Sequence, residues 1–158
     1  MAIQIRGARI EDYHDLCTIY SELDELHRQE HTELFVKPNT IGRSRNYIEG
    51  LINDASKALF VAEYESKVIG LAECYIIESP DFPILKKRKW VQLDSIAVKR
   101  GFRNLGVGDL LLKEVTNWSN INGIKRVELK VYTFNKDAVE FYSNKGFIDI
   151  NKTMYIDL

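Results

Sequence analysis

Residues 91–118 read VQLDSIAVKRGFRNLGVGDLLLKEVTNW, and their hydrophobic pattern changes across a glycine-rich connection. Residues 91–98 form a strand-like run of mainly apolar residues. After the connection, apolar residues recur at helical spacing: Val107, Leu110, Leu111, Val115 and Trp118. Residues 126–131 then alternate as a strand again. A strand, a helix and a second strand in this order predict a crossover unit with two parallel strands.

The upstream part of the chain predicts three strands and two helices. Residues 3–5 alternate as a short first strand, and an apolar stripe at helical spacing over residues 10–26 predicts a long first helix. A second helix is predicted from about Thr40, a suitable N-cap, to the turn residues at 53–54. Residues 58–62 and 68–76 are apolar runs on either side of a short turn, so they predict an antiparallel hairpin.

The downstream part of the chain predicts one more helix and one more strand. Asn135 can cap a fourth helix, Gly146 can end it, and residues 147–155 have the pattern of a final strand. The predicted order is therefore β-α-α-β-β-β-α-β-α-β. Strands that first meander and later alternate with helices imply a mixed α/β (α+β) sheet, with an antiparallel part and one parallel pair. We expect a single domain over residues 1–158.

The composition restricts the partners and the location that we expect. The 22 lysines and arginines nearly cancel the 23 aspartates and glutamates, so no whole-chain field attracts nucleic acid or an anionic membrane. The sequence has no run of about 18 apolar residues and no signal-peptide core, so we expect no membrane partner and a cytoplasmic location. Cys17 and Cys74 are too few for a disulfide framework, and we expect both to be buried.

Residues 103–108 carry the most informative pattern for function. Glycines between a strand and a helix let the backbone approach a ligand closely, and the free N–H groups of a helix start favour phosphate oxygens. A tight turn without a ligand explains the same glycines, so that alternative stays open at this point. A P-loop is disfavoured because Val107 and Gly108 stand where lysine and serine or threonine are required. A dinucleotide fingerprint is disfavoured because its third glycine is missing.

Two segments of the second half carry specific motifs. One is Arg103-x-x-Gly106-x-Gly108, which directly follows the strand predicted at residues 91–98. The other is residues 135–147, which read NKDAVEFYSNKGF. These segments resemble the Arg/Gln-x-x-Gly-x-Gly/Ala motif and the Asn-x-x-Ala-x-x-Phe-Tyr-x-x-x-Gly-Phe signature of the GCN5-related N-acetyltransferase (GNAT) family. The order of predicted elements is similar to that family over essentially the whole chain.

The resemblance implies an acetyl-CoA-dependent acyltransferase whose cosubstrate lies between two splayed central strands. It implies that the backbone of the fourth strand, at Ile96, Ala97 and Val98, lines the pantetheine arm. The pyrophosphate would be held by the loop and the helix start: Arg103, Asn104, Leu105, Gly106, Val107 and Gly108. Asn135 would help to position the pantetheine or thioester end. Tyr142 is implied as a cofactor contact and as the general acid that protonates the departing thiolate.

The base that deprotonates the amine is less defined. Asp94 and Glu73 are carboxylates inside otherwise apolar strands, where burial could raise a pKa toward neutrality. Because the family often places a carboxylate on the fourth strand or relays the proton through water, Asp94 comes first and Glu73 second as catalytic candidates. Either carboxylate can instead face solvent on the polar side of its strand, and that alternative stays open.

The resemblance also implies that residues 22–38 and 79–90 shape the acceptor pocket. The first stretch is acidic, so the predicted acceptor is a primary amine of a small cationic molecule, such as a polyamine, an aminoglycoside or an amino-acid-like compound. A peptide, protein N-terminus or lysine is the alternative acceptor. A non-catalytic acyl-CoA-binding regulatory module is the alternative function. A homodimer would suit an exposed final strand.

Two charged features have simpler explanations. His27 and His31 have the spacing of a metal-binding pair, but Arg28 stands where a zinc protease helix carries glutamate. We therefore expect no metal site. Residues 86–89 read KKRK and are expected to form a charged surface loop, although the same run could meet an acidic partner or a CoA phosphate.

Overall fold

The computed structural model describes residues 2–158, which form a five-stranded sheet in the order β1-β2-β3-β4-β5 flanked by helices. The strands are β1 (Gln4–Gly7), β2 (Lys57–Tyr64), β3 (Lys67–Glu78), β4 (Lys89–Val98) and β5 (Val127–Leu129). The helices are α1 (Tyr13–Glu30), α2 (Arg45–Asn53), α3 (Val107–Ile121) and α4 (Lys136–Asn144). Short 3-10 helices span Ile10–Asp12 and Arg100–Phe102.

The sheet topology confirms the mixed fold predicted from the hydrophobic pattern. β1, β2, β3 and β4 are antiparallel neighbours, whereas β5 is parallel to β4. The β2–β3 hairpin turns through Glu65 and Ser66, whose φ angles are 49° and 61°. Two left-handed residues in a row make the kind of turn whose twist matches that of the flanking strands. α3 provides the crossover that makes the last pair parallel.

Two hydrophobic layers cover the two faces of the sheet. α1 and α2 pack Leu16 and Ile48 against the face to which Leu59 of β2 points. α3 and α4 pack against the opposite face, to which the next residue, Phe60, points. α3 approaches the sheet closely over Gly70, where a Cβ atom would lie 3.1 Å from the Ala97 carbonyl oxygen and 3.2 Å from Leu111.

The predicted final strand is wrong for the described chain. Residues 147–158 have no regular secondary structure and are mostly exposed, and β5 has only three residues where six were expected. The alternating pattern is present, but a strand also needs a neighbour that accepts its backbone hydrogen bonds. Within residues 2–158 the segment has no such neighbour, so local pattern alone does not produce a strand.

Two local expectations also need correction. α2 begins at Arg45 and not near Thr40, because the Ser44 hydroxyl accepts a hydrogen bond from Tyr47 N at 3.1 Å and acts as the N-cap. Cys74 is fully buried in β3 as expected, but Cys17 on α1 is only half-buried. Cys17 lies at the border of the α1 stripe, where its thiol points to the Arg43 carbonyl oxygen at 3.8 Å.

Candidate active site

A notch opens where β5 stops pairing with β4. The parallel ladder joins Val91, Gln92 and Leu93 to β5, and β4 then continues to Val98 without a partner on that side. The β3–β4 register shifts at the same level, because Glu73 lies opposite Ser95 while Cys74 lies opposite Leu93. Asp94 is therefore the extra residue of a β-bulge, which bends the strand where the two neighbours separate.

The bulge decides which backbone groups face the notch. Below it, Val91 N donates to the Arg126 carbonyl oxygen at 2.9 Å, toward β5. Above it, Lys99 N donates to the Ile69 carbonyl oxygen at 2.8 Å, toward β3. Since ladder groups alternate along a strand, Ala97 also faces β3, whereas the backbone groups of Ile96 and Val98 face the open side. Arg103 Nε already donates to the Val98 carbonyl oxygen at 3.0 Å.

The loop above the notch leads into a helix start without a side-chain cap. Asn104 and Gly106 have φ angles of 60° and 78°, and Gly106 is the N-cap residue of α3. The first helical hydrogen bond joins Leu110 N to the Gly106 carbonyl oxygen at 3.2 Å. The N–H groups of residues 107–109 therefore have no acceptor within the helix, and they form an anion-binding end. Leu105 is exposed beside them, whereas Val107 is buried under the helix.

The side chains of Lys99 and Arg103 near this loop are tied to α1. Lys99 Nζ lies 3.0 Å from Asp15, and an amino group of Arg103 lies 3.6 Å from Glu22. Arg100 N also donates to Glu22, at 3.1 Å. Lys99 and Arg103 therefore offer less free positive charge than the sequence suggests, while the backbone N–H groups at the start of α3 remain available to an anionic ligand.

Tyr142 lies on α4 in the α3–α4 layer, with only 8% of the residue exposed. Its ring packs edge-on against Phe141 and Phe147, at centroid distances of 5.2 and 5.5 Å. Every fully buried side-chain nitrogen or oxygen of residues 2–158 has a hydrogen-bond partner, and the Tyr142 hydroxyl has none, so it must reach the accessible surface. Burial raises the pKa of Tyr142, which keeps the hydroxyl protonated and able to donate.

Asn135 confirms its predicted place as the α4 N-cap. Its Oδ1 accepts a hydrogen bond from Ala138 N at 3.2 Å, while the side-chain amide nitrogen has no partner among the described residues. Asn135 follows the loop that continues β5 beyond the end of the parallel ladder.

Glu73 is a buried carboxylate held by two tyrosines. It is 3% exposed and accepts hydrogen bonds from the hydroxyl of Tyr20 at 2.5 Å and from that of Tyr47 at 2.6 Å. Burial and the Glu73 charge raise the pKa of both tyrosines, so each remains a donor to the carboxylate. Arg43 lies over the Tyr20 ring at 4.5 Å and pairs with Asp24 at 2.6 Å.

The sequence pattern alone does not identify these two tyrosines as partners of Glu73. Tyr20 belongs to the apolar stripe that predicted α1, and Tyr47 to the predicted second helix. The sequence does carry one signal, because a tyrosine in a buried stripe needs a hydrogen-bond partner for its hydroxyl. Only the packing of α1 and α2 on β3 decides that the partner is Glu73.

Asp94 is exposed, unlike Glu73. Its carboxylate accepts hydrogen bonds from the Ser95 hydroxyl at 3.2 Å and from the Tyr75 hydroxyl at a long 3.4 Å. Burial and the Asp94 charge raise the pKa of Tyr75. Asp94 lies at an open cavity of about 160 Å³ whose walls also include Gln92 and Lys130. A charged substrate group can therefore reach this carboxylate directly.

The two faces of the sheet carry different candidate groups. Tyr142 belongs to the α3–α4 layer. Glu73 points to the opposite layer, where it meets Tyr20 and Tyr47 of α1 and α2. Tyr142 and Glu73 therefore lie on opposite faces of the sheet, and Asp94 is exposed at the bulge of β4.

An aromatic cluster lies between the end of α1 and the loop after β5. It consists of His27, His31, Phe35, Tyr132 and Phe134, whose ring centroids are 5.1 to 6.0 Å apart. His27 Nδ1 lies 2.8 Å from the Leu23 carbonyl oxygen, which fixes the proton on that nitrogen. Among residues 2–158, no group of three or more His, Cys, Asp or Glu side chains is arranged to hold a metal ion.

The acidic stretch at residues 22–33 is largely paired within the chain. As described above, Glu22 pairs with Arg103 and Asp24 pairs with Arg43. Glu25 pairs with Arg28 at 2.6 Å, and Glu33 accepts a hydrogen bond from a ring nitrogen of His31 at 2.8 Å. The stretch therefore presents less free negative charge than its composition implies. On the other acceptor-side loop, Arg88 of the basic run pairs with Glu128 at 2.6 Å and lies 4.0 Å over the Trp90 ring.

None of the helices within residues 2–158 has the combination of length and apolar character that a membrane crossing requires.

Known proteins are similar to this chain in sequence or in fold. An uncharacterized N-acetyltransferase of Methanocaldococcus jannaschii is 30% identical over 104 residues, which is 66% of this chain but only 45% of that relative's length. The structure of a tetramutant of the Bacillus halodurans protein BH1408 is similar with a TM-score of 0.91 at 22% identity, over 98% of this chain and 99% of that one. Aminoglycoside N-acetyltransferase AAC(6')-Iy in complex with CoA is similar with a TM-score of 0.75 at 17% identity, over 99% and 95%.

Because the sequence identities to the solved structures are low, the structural similarity establishes a shared fold only. The sequence model of the Acetyltransferase (GNAT) family matches residues 17–147, which include β4, the loop before α3 and the α4 signature. The notch, the uncapped helix start and the buried tyrosine all fall inside that match. The chain therefore belongs to the acetyltransferase (GNAT) family.

Proposed function

We propose that this chain is an acetyl-CoA-dependent N-acetyltransferase that acts on a primary amine by direct attack on the thioester. One observation carries the proposal: the open edge of β4 leads directly to the uncapped start of α3. An extended chain of amides that ends in a pyrophosphate matches an edge strand followed by free N–H groups. Pantetheine and the CoA diphosphate have this chemistry.

The residues fit acetyl-CoA in the following way. The backbone groups of Ile96 and Val98 would pair with the pantetheine amides, while Ala97 holds β4 to β3 between them. The amides of residues 103–108 would hold the pyrophosphate, because the left-handed Asn104 and Gly106 bend the loop and the helix start adds its dipole. The free amide nitrogen of Asn135 would bind a carbonyl oxygen of the pantetheine or thioester end.

The reaction needs a neutral amine and a protonated leaving group. The amine nitrogen attacks the thioester carbonyl carbon, the carbon–sulfur bond breaks, and the amide product and CoA thiol result. The Tyr142 hydroxyl would donate the proton to the thiolate, since burial keeps it protonated. Most aliphatic amines arrive protonated because their pKa is near 10.4, so a base must take one proton first.

Asp94 remains the first candidate for that base and Glu73 the second. Asp94 is exposed at the notch and could contact the ammonium group directly or through water. Glu73 is reached only through the hydroxyls of Tyr20 and Tyr47, so it would act by holding Tyr47 in place or by a relay through it. The two carboxylates thus have different proposed roles despite their similar places in the sequence.

The proposed acceptor is a small cationic amine. Asp94 offers a negative charge beside a cavity of about 160 Å³, and the aromatic cluster at the end of α1 offers faces to a cation. An aminoglycoside acetyltransferase has a similar fold, which is consistent with this class of acceptor, but the fold alone does not identify the acceptor of this chain. A peptide acceptor is the second candidate, because Phe82, Ile84 and Leu85 expose apolar side chains on the loop between β3 and β4.

The test is a chromatographic measurement of acetyl-CoA conversion to CoA against polyamines, aminoglycosides, amino acids and peptides with free N-termini. Chromatography avoids thiol reagents that Cys17 could consume. We expect turnover with a cationic small amine and a large loss of turnover in Asp94→Asn. Turnover confined to peptides would favour the second candidate. Binding of acetyl-CoA without any turnover would support the regulatory alternative, and absence of acetyl-CoA binding would reject the proposal.

A further inference from the structure

Asp94 and Lys130 share the small cavity beside the notch. Its volume is about 160 Å³. The remaining walls are Tyr75, Ile77, Gln92 and Leu93. Pockets for drug-sized ligands span about 300–1,000 Å³, so this cavity suits a compact polar group. Because Asp94 supplies a negative charge and Lys130 a positive charge, a compact group that carries both signs complements the walls.

The two charges meet because β4 and β5 separate at this level. Leu93 and Leu129 form the last pair of the parallel ladder, and Asp94 and Lys130 are the residues that follow them. Leu129 packs into the α3–α4 layer, so the next residue points to the opposite face of the sheet. The cavity therefore lies on the face of the sheet that α1 and α2 partly cover, at the level of the bulge.

Asp94 and Lys130 do not neutralise each other. The carboxylate of Asp94 accepts hydrogen bonds from the Ser95 and Tyr75 hydroxyls, and no ion pair joins it to Lys130. Lys130 is exposed and its side chain forms no ion pair or hydrogen bond with residues 2–158. Nearby arginines differ, since Glu128 binds one at 2.6 Å and another at 2.7 Å. The ammonium group of Lys130 is therefore available to a ligand.

Gln92 adds a second donor to the same cavity. Its Oε1 accepts a hydrogen bond from Trp90 Nε1 at 3.3 Å. That contact orients the side-chain amide, whose nitrogen has no partner among the described residues. An ammonium group and an amide nitrogen on neighbouring strands provide the donors that a carboxylate accepts. Asp94, on the same strand as Gln92, provides the acceptor that an ammonium group needs.

We infer that the cavity binds an acceptor that carries a carboxylate beside its amine, as an α-amino acid does. Asp94 holds the ammonium group, while Lys130 and Gln92 hold the carboxylate. The inference rests on the proposed acetyl transfer and narrows its acceptor. Pantetheine that pairs with Val98 and Ile96 leads the thioester down β4 toward the bulge, which is where Asp94 holds the amine.

The carboxylate separates this acceptor from the other classes considered above. Polyamines and aminoglycosides carry amines but no carboxylate beside them. At a peptide N-terminus, a neutral amide replaces the α-carboxylate. None of these acceptors therefore gains an ion pair with Lys130, and that difference can be measured.

Calorimetry in the presence of CoA measures acceptor binding without turnover. The probes are the standard L-amino acids and their α-amides, which keep the amine and lose the carboxylate charge. We expect at least one amino acid to bind at least tenfold more tightly than its amide. If the wild-type chain binds no amino acid, with or without CoA, the inference is overturned even where the chain acetylates another amine.

Lys130→Met and Lys113→Met make the same change at two exposed lysines. Lys113 lies on α3, so its variant reports the effect of net charge alone. We expect Lys130→Met to raise the Kd and the KM of the amino acid at least tenfold and those of its amide less than twofold. Lys113→Met should change neither ligand by more than twofold. Lys130→Glu should reverse the preference, because its carboxylate repels the acid.

The outcomes keep the two proposals apart. If amines are acetylated but Lys130→Met leaves the ratio between amino acid and amide unchanged, the carboxylate site is wrong and acetyl transfer stands. If acetyl-CoA does not bind, acetyl transfer is rejected, and amino-acid calorimetry on the chain alone still decides the cavity. Circular dichroism confirms folding of the three variants.

Discussion

Tyr142→Phe is the change that best separates catalysis from stability. The Tyr142 hydroxyl has no hydrogen-bond partner within residues 2–158, so the substitution removes no internal bond and keeps the ring contacts with Phe141 and Phe147. We therefore expect the free energy of unfolding to change by less than about 0.5 kcal/mol. If the hydroxyl protonates the thiolate, kcat should fall by at least tenfold, because general acid catalysis typically contributes about 10²–10⁴-fold.

Tyr20→Phe is the matched control. Tyr20 is 1% exposed, and its hydroxyl donates to the Glu73 carboxylate at 2.5 Å. A hydrogen bond to a charged group contributes about 1.5–3 kcal/mol, so this variant should lose roughly that much stability. The two tyrosine substitutions remove the same atom from two buried rings. Only the presence of a partner predicts the different outcomes.

Urea unfolding measures stability, and chromatographic turnover over pH 6–9 measures activity. Burial raises the pKa of Tyr142 above its ordinary value near 10. Loss of its proton therefore begins at higher pH than for an exposed tyrosine, and ionisation of Tyr142 should not lower the wild-type rate in this range. A kcat of Tyr142→Phe within twofold of wild type would refute the proposed acid. A stability loss above about 1.5 kcal/mol would refute the absence of a partner.

Three other changes have defined outcomes. Gly106→Ala should lower the free energy of unfolding in urea by about 1 kcal/mol, because φ is 78° at Gly106. The same substitution should weaken CoA binding at least tenfold by calorimetry. Gly101→Ala is the control: Gly101 has no positive φ, so neither stability nor binding should change. Asp94→Asn should lower kcat/KM for the amine at least a hundredfold with stability nearly unchanged, because Asp94 is exposed; an effect below threefold would assign the base elsewhere. Burial raises the pKa of Cys74 to about 12, so only about 10⁻⁴ of the Cys74 side chains are thiolate at pH 8. A thiol reagent should therefore modify Cys74 only after unfolding, whereas the half-buried Cys17 should react earlier. Fast labelling of Cys74 in the native protein would contradict its burial.

Much of the fold could be predicted from local patterns. The change of hydrophobic period at residues 91–118 predicted β4, α3 and the parallel strand, and Asn135 predicted the start of α4. Elements of this kind depend on nearby residues, since a helix forms its own hydrogen bonds and a cap acts within one turn. The final strand could not be predicted in the same way, because a strand exists only where another strand pairs with it.

The candidate site divides along the same line. The motif around Gly106 and the signature around Tyr142 identified the family from short spacings, because phosphate contact by a helix start requires only a few consecutive residues. Tertiary structure decided the β-bulge at Asp94, the direction of the Ile96 and Val98 backbone groups, and the burial of Glu73 beneath Tyr20 and Tyr47. These features join residues up to 53 positions apart, and only the packing of helices on the sheet brings them together. The sequence by itself thus determined the family of the chain, because the family motifs are short, while the tertiary structure decided which of the candidate side chains are buried, paired or exposed.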